Sequence, residues 1–191
     1  MQYSLLTLGL GGLLASGAAI PVLTTRDVSA QQYEISTLKT HFMGKNSGIG
    51  DGSWSPGSIF SSTIELVINY PSPDPADTIG QWTTCTGSWV NGTHPEGWNG
   101  CDGDTTTGWR FTDFTTEAKF TIEVGRITGE YSAETGSVTV TANNLSDDNS
   151  WLTCLEGAPM TGIKCELNGM LSKKKAPIPV AITSGPAIGP F

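Results

Sequence analysis

Histidine and basic residues are scarce in this sequence. It has two histidines, and ten Lys and Arg against 18 Asp and Glu, for a formal net charge of −8. That balance argues against nucleic acid or an anionic membrane as a partner. With only His41 and His94 available, a zinc hydrolase site would have to borrow carboxylates, and no H-E-x-x-H run or G-x-S-x-G elbow occurs. Each histidine reads as a loop or edge residue, since His41 ends a strand-like run and His94 stands beside Pro95. No catalytic set, metal site or cofactor is expected, and helical periodicity is nearly absent.

Long apolar runs are missing too, with one exception at the start. Leu5 to Leu14, followed by small residues through Ala19, has the length of a secretory signal core. A membrane span needs about 20 apolar residues, and Gly11, Gly12 and Gly17 interrupt a run already too short. No Lys or Arg precedes it. Residues 1–19 are therefore expected to be a cleaved signal peptide, and 20–30 a short pro-segment or disordered arm. The stretch 176–191 is apolar, but four prolines and two glycines argue against a lipid-anchor signal. Residues 186–191 are expected to form a flexible tail. That leaves 31–185 as one domain, long enough to bury a real core.

What the chain does have is alternation with period two. Ile64, Leu66, Ile68 and Tyr70 alternate with polar or β-branched neighbours, as do Phe120, Ile122 and Val124, and Val138 and Val140. Each run suits a strand with one buried and one wetted face. Shorter strand candidates are Tyr33–Phe42, Gln81–Trp89, Trp109–Phe114, Gly162–Leu167 and Ile178–Ile182. Turn signals separate them at Pro71–Pro73, Gly100–Gly108, Thr128–Gly129, Glu134–Gly136 and Asn143–Ser150. The expected fold is all-β, a single compact antiparallel barrel or sandwich. The Gly/Ser segment Gly44–Pro56 is expected to be its most mobile part.

Cys85, Cys101, Cys154 and Cys165 form an even set behind a leader, which reads as a disulfide framework. Zinc ligation would need a short C-x₂₋₄-C unit that is missing. Three connectivities are open. Chain entropy does not choose among them, because its dependence on loop length is logarithmic. The turn-rich segments inside Cys85–Cys101 and Cys154–Cys165 favour nearest neighbours. Asn91-Gly92-Thr93 and Asn144-Leu145-Ser146 are glycosylation sequons in expected loops.

Glu65 and Glu123 are the carboxylates to weigh for a small hydrolase, since glycosidases need only two across a cleft. Alternation points both to solvent. Asp102-Gly103-Asp104 lacks the glycine and glutamate of a calcium loop and reads as a turn. The basic run Lys173–Lys175 reads as a solvated turn. Six tryptophans are unusual. Trp82 and Trp109 lie in strand-like runs and are expected in the core. Trp54, Trp89, Trp98 and Trp151 lie in loops. Of these, Trp54, Trp89 and Trp98 are the candidate ligand or partner surface, and a carbohydrate-binding module is the alternative they suggest.

Several features in order resemble the secreted fungal allergen and elicitor proteins typified by the Alternaria major allergen. They are Tyr33-Glu34-Ile35-Ser36, Thr84-Cys85-Thr86, Trp98-Asn99-Gly100-Cys101, the aromatic and apolar strands within Trp109–Arg126, and Thr153-Cys154 to Lys164-Cys165. The likeness runs from about Tyr33 to Ile182. It implies a β-barrel with disulfides Cys85–Cys101 and Cys154–Cys165, and export to the extracellular space. It also implies an activity towards plant hosts or immune systems rather than a known reaction. With the lack of a catalytic constellation, the expected action is binding of a host extracellular protein or small ligand. Family members that dimerise covalently carry a further cysteine near the mature N-terminus. Residues 20–40 contain none, so no disulfide-linked dimer is expected.

Overall fold

The computed structural model describes residues 32–44, 54–71, 81–90, 93–189 and 191. Among them there is no helix, and eleven strands form one sheet that curls into a nearly closed barrel. The strands are β1 (Gln32–Phe42), β2 (Ser62–Tyr70), β3 (Gln81–Trp89), β4 (Asn99–Cys101), β5 (Asp104–Thr116), β6 (Lys119–Gly129), β7 (Ser132–Ala142), β8 (Ser150–Glu156), β9 (Ile163–Leu167), β10 (Ile178–Ala181) and β11 (Thr183–Pro186). The spatial order is β3-β2-β1-β9-β8-β7-β6-β5-β4. Every pairing is antiparallel except β7 with β8, which is parallel.

The space between β1 and β7 is bridged twice. Toward its end β1 pairs β9, and β9 leads through β8 to the end of β7. The beginning of β1 instead pairs β10, whose continuation β11 pairs the beginning of β7. The remaining seam, between β3 and β4, is held by the Cys85–Cys101 disulfide and by the Asp102 amide donating to the Thr84 carbonyl at 2.7 Å. The second disulfide, Cys154–Cys165, joins directly opposed residues of β8 and β9. Both are the expected nearest-neighbour pairs, and no cysteine is left free.

Alternation puts Ile64, Leu66, Ile68 and Tyr70 of β2 and Phe120, Ile122 and Val124 of β6 inside. In β1 the inward phase changes from Tyr33 and Ile35 to Leu38 and Phe42 across a register shift between Ile35 and Thr37. Such bulges give a sheet the curvature that closure needs. One end of the core is aromatic. Phe111 and Phe120 lie 5.5 Å apart in an edge-on pair, with Phe42 and Trp89 edge-on or tilted around them. Trp109 fits inside because β3 offers Gly87 opposite it, where a methyl group would stand 2.6 Å from the indole.

The structure departs from the sequence expectation at several places. Asp104 opens β5, inside the glycine-rich stretch expected to be a turn. The chain reverses at Gly103, whose positive φ of 71° suits glycine. Glu134–Gly136, also expected as a turn, lies within β7. Gly136 is needed there because Ala181 and Ile182 pass directly over it. Pro186 ends β11, and the rest of segment 186–191 touches the barrel at Ala187, Ile188 and Phe191. The Ala187 amide bonds to Tyr131 at 3.1 Å, Ile188 covers Gly125, and the Phe191 ring covers Gly108. Residues 1–31 and 45–53 lie outside the described residues, and with them the leader, the arm and most of the Gly/Ser segment. No helix among the described residues is long and apolar enough to cross a membrane.

Candidate functional site

The outer face of β2, β1, β9 and β8 carries a hollow of about 590 Å³. That lies within the usual range for ligand pockets, about 300–1,000 Å³. Register assembles its floor. Lys39 of β1 stands between Glu65 of β2 and Glu166 of β9, and His41 stands between Thr63 and Lys164. Positive and negative side chains therefore alternate across three strands. The Lys39 ammonium is 3.7 Å from Glu65, and both side chains are about half exposed or more. Such a pair contributes only about 0–1 kcal/mol, so its charges are available to a partner at little cost.

A short loop, residues 157–162, roofs the hollow. It folds on itself through the Thr161 amide and hydroxyl, which donate to the Ala158 carbonyl at 3.1 and 2.7 Å. Gly162 takes a positive φ of 72° with the Phe42 carbonyl and the Phe60 ring packed against it. His41 ties roof to floor. Its Nε2 lies 2.7 Å from the Thr161 carbonyl oxygen, which can only accept, so Nε2 carries the proton. The imidazole stacks on Phe60 with centroids 4.5 Å apart. Leu155, 61% exposed, supplies an apolar wall.

The tryptophans do not form the platform expected of them. Trp89 is buried in the aromatic end of the core. Trp54 is half-buried, donating from Nε1 to the Gly44 carbonyl and meeting Phe60 edge-on. Trp98 lies under the Arg110 guanidinium, 4.6 Å from its ring centroid, and against Phe191. The structure thus scatters the three over separate surroundings. Of the pair expected in the core, Trp109 is fully buried, but Trp82 is 68% exposed. The parity of β3 explains it: Thr83, Cys85 and Trp89 share the inner face, and Trp82 falls on the other.

Glu65 and Glu123 both face outward, as alternation predicts, and they do not meet. Glu65 lines the hollow, whereas Glu123 on β6 accepts from Arg110 Nε at 2.6 Å. His94 stacks on Phe114 at the aromatic end of the barrel, with Nδ1 3.3 Å from the Pro95 carbonyl. Asn144 is exposed in the turn before β8, where its Oδ1 accepts from the Ser146 amide. Asn91 lies outside the described residues. The lysine run is engaged on the surface: Lys173 pairs with Asp148 at 2.7 Å, and Lys174 lies over Trp151. Among the described residues, no group of three or more His, Cys, Asp and Glu could hold a metal ion.

Lys39, Lys164 and Glu166 were not singled out by sequence reasoning, because a charge on an outward strand position ordinarily means only a wetted face. Their signal is the pairing of β1 with β9, which sequence periodicity does not reveal. Fold and site together define a disulfide-braced β-barrel with a roofed, mixed-charge hollow on its outer face. The chain matches no family model, no curated protein and no solved structure.

Proposed function

We propose that the protein is exported and acts by binding. In this reading it is an effector, elicitor or allergen-like molecule that engages a host extracellular protein or small ligand through the hollow, without catalysis. The observation that carries the reading is the charge alternation of Glu65, Lys39 and Glu166 across three strands, with Lys164 beside them and the 157–162 loop tied over them. A surface of that pattern favours a partner carrying both signs of charge and disfavours one carrying a single sign. Pairing of all four cysteines within the chain supports an oxidising compartment. The resemblance to fungal allergen and elicitor proteins supports a host target, and the exposed Asn144 sequon is in keeping with passage through a glycosylating pathway.

Infiltration of purified protein into leaf tissue tests the reading, with a Lys39→Glu/Lys164→Glu variant in parallel. The parent is expected to provoke a defence response or cell death. The variant, whose near-ultraviolet circular dichroism should match the parent, is expected to lose most of that response. A silent parent, or equal responses from both proteins, overturns the proposal.

A further inference from the structure

Away from the hollow, a second concavity lies where β2 and β3 meet the turn between β4 and β5, lined by Tyr70, Gln81, Trp82, Thr84, Asp102 and Asp104. Among the described residues, Trp82 is its only large exposed apolar side chain, and the lining includes no lysine or arginine. We propose that this trough binds a neutral pyranose, with the sugar's C–H face stacked on the Trp82 indole and its hydroxyls bonded to Asp102 and Gln81.

The polar groups around the indole are set for hydroxyls. Asp102 is exposed, and among the described residues its carboxylate receives only the Thr86 hydroxyl, at 3.2 and 3.3 Å to the two oxygens. Two carboxylate oxygens offer about four acceptor sites, more than that one hydroxyl fills. Gln81 accepts from Arg126 Nη2 at 3.3 Å through Oε1, which orients its amide nitrogen as a donor. Asp104 is the fixed member. It accepts from the Thr106 amide and hydroxyl at 2.8 and 2.6 Å and from the Tyr70 hydroxyl at 3.3 Å. Burial opposes its ionisation, but the bonds from Thr106 and Tyr70 outweigh that and hold its carboxyl below the usual range. Two carboxylates repel a uronate or a phosphorylated sugar. A cationic ligand would want a cage of several rings. The neighbouring Tyr70 face is already covered by Arg126 at 4.1 Å, which leaves a single indole. One flat ring flanked by acceptors and a donor suits a neutral sugar.

Affinity electrophoresis of the full chain in gels containing β-glucan, glycol chitin, xylan or mannan tests the assignment. Intrinsic fluorescence titration with the matching oligosaccharides, a high-mannose glycan and choline accompanies it. Retardation by at least one neutral polysaccharide, or saturable quenching by a neutral saccharide, is expected. Trp82→Ala should weaken either about tenfold or more, and Asp102→Asn should weaken it less. The glycan and polysaccharide arms separate a glycoprotein ligand from a wall polymer. No neutral saccharide binding, binding undiminished in Trp82→Ala, or binding of choline alone overturns the proposal. Trp82→Ala leaves the Lys39 hollow intact, so this result and the leaf assay stand or fall separately.

Discussion

Two tryptophans on this chain do opposite jobs. Trp109 is fully buried against Gly87, Phe111 and the inner face of β6, so its truncation leaves a cavity. Trp109→Ala is expected to cost about 3–5 kcal/mol, and Trp82→Ala to stay within about 0.5 kcal/mol. Urea unfolding of the two variants side by side measures the difference, and similar losses would contradict the assignment. Strand parity could have separated them in advance. Once Cys85 is placed inward by its bridge, Trp89, four residues on, must share its face, and Trp82, three residues back, must not. Tyr33 is the other residue with a measurable signature. It is 1% exposed and donates its hydroxyl to Glu134. Burial first, then that bond and the carboxylate's charge, raise its pKa well above the ordinary 10.0. A pKa raised by folding gives stability that is whole below the ordinary value and lost as pH climbs through the folded one. Unfolding free energy should therefore fall as pH rises above about 10, and Tyr33→Phe should flatten that slope. Identical slopes would remove Tyr33 as the cause.

At the scale of elements, the strands that wet one face were legible and those covered on both were not. β2 and β6 alternate cleanly and were expected in nearly their observed places. β8 was missed because it does not alternate: Ser150 through Cys154 are all buried. Its outer face is covered where Gly169 packs on Thr153 and Lys174 lies over Trp151. β11 has the opposite defect, since Thr183–Pro186 is exposed throughout and is a strand only through its register with β7. The roofed hollow inherits both difficulties, because β8 is part of it and β1 meets β9 only in three dimensions. A bridge inside that region gives a direct test. Cys154→Ala removes the link between β8 and β9 and is expected to cost about 2–5 kcal/mol. Cys165 is only 2% exposed, so the released thiol should resist a thiol reagent in the native state and react on unfolding. Rapid labelling of the native variant would show that β9 separates from β8.

For the whole molecule, closure is the property that matters. A sheet of this length with unpaired edges invites pairing with another chain, and the barrel removes most of its edges by curling. Between β3 and β4 the backbone link is short, and the Cys85–Cys101 bridge carries much of the join. The double variant Cys85→Ala/Cys101→Ala is expected to lose about 2–5 kcal/mol. Amide exchange should rise at Asp102 and along β4 and β5, while β1 and β2 keep their protection. Unchanged protection at Asp102 would mean that backbone pairing alone keeps the barrel shut.

The seat of the Phe191 ring on Gly108 carries a practical consequence for anyone handling the protein. A label or substitution that replaces the Phe191 side chain would take the ring off its glycine and uncover the neighbouring Trp98, which it meets at 5.3 Å.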